Sequence, residues 1–219
     1  EKKLRERQVL SDYKVFMLLV DHNDIDYELE ADDYSEMRKK LILENEIRNR
    51  VLIRVLKILR DLKLKTLVLF QSVDHGVDVE RLTGIPFISG ETSGDERERA
   101  KEKFLKGKGG FLSASGIFKK GVTLPQVEVL INVDGGLEDA NTIQKKGRVL
   151  GTTKTKSRSL IIDFFDLYDA YFSDHSETRL NTYVEAIGEN HVGILDTSAD
   201  DVYETLERWI KKWFRIENK

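Results

Sequence analysis

Short apolar runs that alternate with helical patterns constrain the fold of this 219-residue chain more than any other feature. The runs are rich in β-branched and aromatic residues and carry few charges along their length. Strands of this kind are buried on both faces, and their alternation with helices predicts a parallel sheet covered on both sides. The predicted strands are Thr66 to Phe70, Pro86 to Ser89, Phe111 to Ala114, Val127 to Val133 and Ser159 to Phe164.

Helices are predicted between and after these strands from apolar residues that recur every three or four positions. Ser93 and Glu96 have the spacing of a capping box at the start of one of them. The predicted helices are Tyr34 to Leu62, His75 to Leu82, Ser93 to Lys106, Glu138 to Leu150, Leu167 to Ile187 and Asp200 to Trp213. The fold class is therefore α/β.

The order of the patterns predicts three segments. Residues 1–33 are interpreted as a linker with an extra strand, Lys14 to Val20, because the surrounding residues are strongly charged. Residues 34–170 hold the alternating strands and helices and form the main domain. Residues 171–219 are interpreted as a helical C-terminal extension, with a short apolar run at Val192 to Leu195 and three apolar residues, Trp209, Ile210 and Trp213, that we expect to dock on the core.

Composition narrows the class of protein. Apolar residues make up 40% and charged residues 34% of the chain, which is typical of a globular domain. The absence of cysteine excludes a disulfide framework and a thiolate metal site, and the four histidines lack metal-ligand spacing. No apolar run has the length of a membrane span, so no membrane partner is expected.

The chain lacks a complete nucleotide site of its own. Gly107–Gly110 is glycine-rich, but it does not have the spacing or the Lys-Ser/Thr ending of a P-loop. The stretch from Ser113 to Pro125 is a better phosphate-loop candidate, because small residues where a strand ends allow backbone N–H groups to approach a phosphate. A tight strand-to-helix turn explains the same residues, and the local chemistry leaves both interpretations open.

Four stretches together resemble a known family. FLSASGIFKKGVTLPQVEVLI is similar to motif V of superfamily 2 helicases, and GETSGDERERAKEKFLKGK is similar to the motif that precedes it. TLVLFQSVDHG resembles motif IV, and Gln144 to Arg148 (QKKGR) resembles motif VI. They occur in the family order from about residue 34 to residue 180. The resemblance implies a second, C-terminal RecA-like domain. Its pattern is most similar to the UvsW and XPB-like branch of DNA helicases and translocases.

The resemblance also implies residue roles. Arg148 and Gln144 would act on the nucleotide from motif VI, as catalytic residues, and Gly121 and Thr123 of motif V would approach the same nucleotide. Nucleic-acid phosphates would be contacted by Gln71, Ser72, Gly90, Thr92, Ser115 and Gly116. ATP and Mg²⁺ would be bound mainly by a first RecA-like domain, so this chain alone is expected to be inactive. The implied partners are DNA, with RNA left open, and that first domain. The implied location is cytoplasmic or nucleoid-associated, or nuclear in a eukaryote.

Departures from the family pattern support an alternative. Motif VI commonly has a second arginine three residues after the first, and here that position is Gly151. Lys154, Lys156 or Arg158 could substitute for that arginine. The rival hypothesis is a nucleic-acid-binding or assembly module that keeps the fold without hydrolysis. A dinucleotide-binding fold is disfavoured, since no glycine fingerprint follows the first strand.

Two further patterns have competing interpretations. Lysines between Lys101 and Lys120, and basic residues between Lys145 and Arg158, form two basic segments that would lie beside the strand-end loops and suit a phosphate backbone. A solvated charged face is the commoner explanation of any single lysine run. Asp163 and Asp166 have the spacing of a possible catalytic carboxylate pair, but turn or capping roles are the simpler interpretation.

Overall fold

The computed structural model describes residues 11–22, 34–107, 109–115, 124, 126–133, 135–136, 151, 153, 156–168 and 170–217. Within them, seven strands form one sheet in the order β3-β4-β2-β5-β6-β1-β7, and every pairing is parallel. The strands are β1 (Asp12–Asp21), β2 (Thr66–Phe70), β3 (Phe87–Ile88), β4 (Phe111–Ser115), β5 (Val129–Asn132), β6 (Arg158–Leu167) and β7 (Val192–Asp196). The predicted parallel α/β architecture is confirmed.

The helices follow the predicted pattern, and several begin at a side-chain cap. Ser93 and Glu96 form the predicted capping box, and Ser72 caps the helix after β2. The described α-helices are α1 (Tyr34–Arg38), α2 (Glu46–Asp61), α3 (Val73–Thr83), α4 (Gly94–Lys106), α5 (Ala170–Ile187) and α6 (Val202–Phe214). The predicted helix from Glu138 to Leu150 lies outside the described residues.

The prediction of one continuous helix from Tyr34 to Leu62 is wrong. α1 passes into a π-helical turn at Lys39–Leu43, and the chain then breaks before α2 begins. Asn45 causes the break, because its extended backbone and its side chain, which accepts the Arg48 N–H at 2.9 Å, make it an N-cap rather than an interior residue. The apolar periodicity continues across the break and so conceals it.

The predicted division at residues 33 and 170 does not correspond to a division of the sheet. β1, from the predicted linker, pairs with β6 along ten residue pairs and with β7 on its other side. β7 comes from the predicted helical extension, so that extension also supplies a strand. The reason is that both segments present apolar strands whose burial requires the same sheet.

Two apolar layers cover the sheet. One face packs α2 and α6 against even-numbered residues of β6, such as Leu160 and Ile162. The other face packs α4 and α5 against odd-numbered residues, such as Ile161 and Phe165. Ile210 is buried in the first layer with Trp209 and Trp213 packed beside it, which confirms the expected docking of α6. No helix in the described part of the chain has the length and hydrophobicity needed to cross a membrane.

Candidate functional site at the carboxyl edge of the sheet

Three predicted phosphate-contact positions lie side by side at the carboxyl edge of the sheet. Gln71 follows β2, Ser115 ends β4, and Gly90 lies just beyond β3. These strands are neighbours in the order β3-β4-β2, and parallel strands end on the same edge. Ligands of open α/β sheets bind at this edge. The structure therefore brings together candidates that are far apart in the sequence.

The loop after β2 joins a polar side chain to a helix N-terminus. Gln71 is exposed, and its Oε1 accepts a hydrogen bond from the Nη2 of Arg38 at 2.8 Å. Ser72 caps α3, with its Oγ accepting the His75 N–H at 3.4 Å. A helix N-terminus favours anions, because its first N–H groups carry partial positive charge. Sequence reasoning missed Arg38, since it lies in a different predicted helix from the motif it contacts.

The loop after β3 is held by its own side chains. Thr92 Oγ1 accepts the Ser89 N–H at 2.9 Å, and Ser89 Oγ accepts the Glu91 N–H at 3.2 Å. These bonds assign Thr92 a role in fixing the loop. Gly90 is exposed, and a Cβ placed there would have no heavy atom within 4 Å. The backbone at Gly90 is thus the part of this loop that is open to a ligand.

Ser115 borders the motif V-like loop. Ser115 is buried, with 5% of its surface exposed, and it is the last described residue before the motif V-like loop. Outside the described residues lie Gly116, Gly121, Thr123, Gln144 and Arg148. Gly151 is described and half-buried.

His75 connects this edge to α2. Its Nε2 lies 2.8 Å from Asn49 Oδ1, and its ring contacts Phe70 edge-on. Burial, reinforced by the charges of Arg48 and Arg38, lowers the pKa of His75 to about 3. The imidazole is therefore neutral at physiological pH and positions α3 without adding charge to the edge.

A buried ion pair anchors one face of the carboxyl edge. Asp166, near the end of β6, accepts hydrogen bonds from Arg48 Nε at 2.8 Å and Nη2 at 3.3 Å, and its Oδ1 lies 3.2 Å from His22 Nε2. Asn45 Nδ2 lies 2.9 Å from His22 Nδ1, and Phe164 stacks on the Arg48 guanidinium at 4.1 Å. We name His22, Asn45, Arg48 and Asp166 the Asp166 cluster.

The charge states in the Asp166 cluster follow from its hydrogen bonds. Burial alone would raise the pKa of Asp166, but Arg48 and His22 together hold it well below its usual range. Because Asn45 Oδ1 is occupied by the Arg48 N–H, its Nδ2 donates to His22 Nδ1. His22 Nε2 donates to Asp166. The cluster buries the Arg48 guanidinium against the Asp166 carboxylate.

A second buried cluster anchors the opposite face. Asp163 accepts hydrogen bonds from the Tyr183 hydroxyl at 2.7 Å and from Asn132 Nδ2 at 3.1 Å, and lies 3.5 Å from Arg179 Nε. We name these four residues the Asp163 cluster. Arg179 also donates, at 3.0 Å each, to the carbonyls of Gly135 and Gly136. It thereby fixes the start of the segment that leads from β5 towards the motif VI-like residues.

Asp163 and Asp166 are therefore not a catalytic pair. They lie on opposite faces of β6, and each neutralises a different arginine in the core. The simpler interpretation, turn or capping residues, also missed this role. The sequence did contain a pattern that predicts this role. Arg48 and Arg179 lie on the apolar faces of their helices, and a charge buried there needs a partner of opposite charge.

The two basic segments divide between different roles. Lys101 pairs with Glu98 at 3.4 Å and Lys106 with Glu102 at 3.0 Å on the surface of α4, which fits the solvated-face interpretation. Arg158 begins β6 and so lies at the amino edge, away from the strand-end loops. Lys156 is buried near it, and burial, partly offset by Glu128, lowers its pKa to about 8. Lys156 and Arg158 thus lie away from the strand-end loops at the carboxyl edge.

Residues 47–151 match the model of the helicase conserved C-terminal domain. This part of the chain is similar to a helicase C-terminal domain. The matched span includes β2 to β5 and every predicted site residue. β1, β6, β7 and α5 lie beyond it. Strands outside the matched span therefore complete the sheet, and residues outside it make up six of the eight members of the two buried clusters.

Solved structures share the fold of the helicase domain. T4 UvsW aligns with a TM-score of 0.66 and 21% identity over 85% of this chain and 42% of that chain. S. cerevisiae Dbp5 L327V, bound to RNA and ADP BeF3, aligns with a TM-score of 0.63 and 16% identity over 97% of this chain and 48% of that chain. The C-terminal domain of Dbp5 alone aligns at 0.59 over 94% of this chain and 99% of that domain.

The chain thus spans less than half the length of the T4 UvsW chain and of the RNA-bound Dbp5 chain. It corresponds in extent to the isolated C-terminal domain of Dbp5. No curated protein matches the sequence.

Proposed function

We propose that this chain is the second motor domain of an ATP-dependent superfamily 2 DNA helicase or translocase. The observation that carries the proposal is the convergence of Gln71, Gly90 and Ser115 on neighbouring strand ends within a helicase C-terminal domain. These positions come from three separate motifs of the sequence, and one continuous strand of nucleic acid could contact all of them.

The nucleic-acid side of the site suits phosphate rather than base contacts. It offers the Gln71 amide with Arg38 beside it, the N-terminus of α3 and the exposed backbone of Gly90. Such groups bind the backbone without reading sequence. A motor that steps along nucleic acid needs contacts of this kind, because it must bind every sequence that it passes.

The nucleotide side rests on residues named from the motif VI and motif V resemblances. Arg148 and Gln144 would face the γ-phosphate, with Gly121 and Thr123 near them, while a first RecA-like domain would hold most of ATP and its Mg²⁺. ATP supplies the free energy for the motion between the two domains. An arginine that reaches across such a cleft stabilises the charge that develops during phosphoryl transfer. Arg179 would support this side indirectly, through the loop that it fixes after β5.

The alternative function is a non-hydrolysing nucleic-acid-binding or assembly module. Gly151 favours it, because glycine cannot supply the second arginine of motif VI. The burial of Lys156 and the position of Arg158 at the amino edge support the same alternative. A P-loop and an acidic magnesium-binding motif in a partner domain would favour the motor.

The test is DNA-stimulated ATP turnover with a P-loop domain present, comparing the natural sequence with Arg148→Ala. We expect stimulation by DNA and a loss of about a thousandfold in the Arg148→Ala variant, the scale of an arginine finger. Arg81→Ala is the matched control, because Arg81 is an exposed arginine whose ion pair among the described residues is a local one, with Asp78. Salt-sensitive DNA binding without turnover would contradict the motor and support the binding module.

Further arms of the same assay identify the polymer. Single-stranded DNA, duplex DNA and RNA of equal length are compared as stimulants. We expect DNA to stimulate ATP turnover. Stimulation by RNA alone would contradict the choice of DNA but would still support a motor function.

A further inference from the structure

The amino edge of the sheet carries a cavity remote from the candidate site. It has a volume of about 460 Å³ and opens where β1, β6 and β7 begin, beside the C-terminal end of α6. A volume of this size falls within the range of small-molecule sites, roughly 300 to 1,000 Å³. The pairings of β1 are parallel, and the cavity reaches along β1 only to Phe16, so the second half of β1 separates it from the carboxyl edge.

Four cationic side chains line the cavity: Lys14 from β1, Arg158 from β6, and Lys212 and Arg215 from the end of α6. The lining includes no Asp or Glu, and in the described part of the chain no carboxylate lies within 4 Å of these four cations. The adjacent Lys211, by contrast, pairs with Glu207 at 2.7 Å. Cations are thus gathered here without the acidic partners found elsewhere on the same helix.

The helix dipole explains only half of this charge. Lys212 and Arg215 lie at the C-terminus of α6, where the dipole favours cations. Lys14 and Arg158 come from two adjacent strands, so the dipole of α6 does not account for their position. The one hydrogen bond described between them and the end of α6 runs from Arg158 Nη1 to the Trp213 carbonyl, at 2.6 Å. Converging like charges repel one another, and a bound anion would relieve that repulsion.

Aromatic side chains make the wall of the cavity rigid. The indole of Trp213 lies under both strand cations, 5.3 Å from Lys14 Nζ and 5.0 Å from Arg158 Cζ. Trp209 is seated on Gly193, where a Cβ would approach the indole to 2.9 Å. The two strand cations, Lys14 and Arg158, are therefore held against the wall, which lowers the entropic cost of binding an anion.

We propose that this cavity binds a small anion that carries two or more phosphate groups. Phosphate is the anion that Arg and Lys recognise most effectively together, and several phosphates would match four cations. The volume admits a nucleotide-sized molecule or the end of a strand, and it excludes a duplex. The inference does not depend on the motor, since the residues involved lie at the opposite edge of the sheet.

The test uses the two tryptophans of the chain, Trp209 and Trp213, which both line the cavity. Sodium tripolyphosphate is titrated into the 219-residue protein at constant ionic strength, and the intrinsic fluorescence is recorded. We expect a saturable change, with binding about tenfold weaker in Lys212→Ala, since a lost charge-assisted contact to phosphate has that scale. Arg215→Gly, which suits the left-handed backbone at φ 56°, should weaken binding similarly.

Lys211→Ala is the matched control, and it should bind tripolyphosphate as the natural sequence does. A tetrathymidylate titration distinguishes the source of the phosphate: saturation by both ligands indicates a strand end, and saturation by tripolyphosphate alone indicates a free anion. No saturable change with either ligand, an equal response to sulfate, or equal weakening by Lys211→Ala would overturn the proposal. Thermal midpoints of the variants separate loss of binding from loss of fold.

Discussion

The two edges of the sheet handle charge in opposite ways. At the carboxyl edge, Arg48 and Arg179 are buried and neutralised by Asp166 and Asp163, and the candidate phosphate contacts that remain include Arg38 beside Gln71 and the backbone of Gly90. At the amino edge, cations line an open cavity without acidic partners among its lining residues. The difference indicates that buried ion pairs fix the geometry of the carboxyl edge, whereas the cations of the amino edge are arranged to attract an anion.

The strongest way to break this contrast is to remove a buried charge. Arg48→Met should lower the free energy of unfolding by about 3 to 5 kcal/mol, because it leaves Asp166 ionised and buried without its cation. Chemical denaturation measures the loss. Arg50→Met on the same helix is the control, since Arg50 is exposed, and it should stay within about 0.5 kcal/mol of the natural sequence. Equal effects of the two changes would contradict an anchoring role for the Asp166 cluster.

Acid should weaken the carboxyl edge through His75. Its pKa is about 3 in the folded protein and 6.5 in the unfolded chain, so between these values the unfolded chain binds the proton and folding is penalised. Lowering the pH from 7 to 5 should cost about 2 kcal/mol of stability from this residue. His75→Gln should lose less stability over the same interval, as measured by denaturation at both pH values. An identical pH dependence in both proteins would show that His75 does not carry the effect.

Removing a helix cap at the carboxyl edge should cost less stability than removing a buried charge there. Ser72→Ala and Ser93→Ala should each cost about 1 kcal/mol, because each removes the side-chain acceptor at a helix N-terminus. Each serine follows a predicted contact residue, Ser72 after Gln71 and Ser93 after Thr92, so both changes should also weaken DNA binding. Unchanged DNA binding in both variants would contradict phosphate contacts at these two helix N-termini.

The smallest effect is expected at the amino edge. Lys212→Ala removes an exposed cation without a described acidic partner, so stability should change by less than about 0.5 kcal/mol. A loss comparable with that of Arg48→Met would show that the amino-edge cations are structural.

Local patterns predicted the strands of the sheet well, because the apolar residues of each strand indicate that the strand is buried. The five runs of the main domain all form strands, and β1 and β7 form where short apolar runs were noted. Membership of the sheet was harder to predict for these two, since the pairing of β1 with β6 joins residues about 146 positions apart, as in Asp12 with Arg158. Pairing over that distance leaves no local signal.

The candidate site was predictable where it rests on strand ends and was missed where it rests on tertiary contacts. Gln71, Ser72 and Gly90 follow strands, so their edge could be inferred from the order of elements. Arg38, Arg48 and Arg179 contribute through contacts between elements far apart in the chain, such as Arg48 with Asp166, and a charged residue in a helix is ordinarily read as a surface residue.

The most direct test of the central claim is the salt dependence of DNA binding by this chain. Fluorescence anisotropy with a labelled single strand gives the affinity at several salt concentrations for the natural sequence, Arg38→Gln and Arg81→Gln. If the carboxyl edge holds the phosphate backbone, Arg38→Gln should weaken binding at every sequence tested and reduce the slope of log affinity against log salt by about one phosphate contact, while Arg81→Gln leaves both unchanged. Equal behaviour of the two variants, or binding that does not respond to salt, would contradict a nucleic-acid site at this edge.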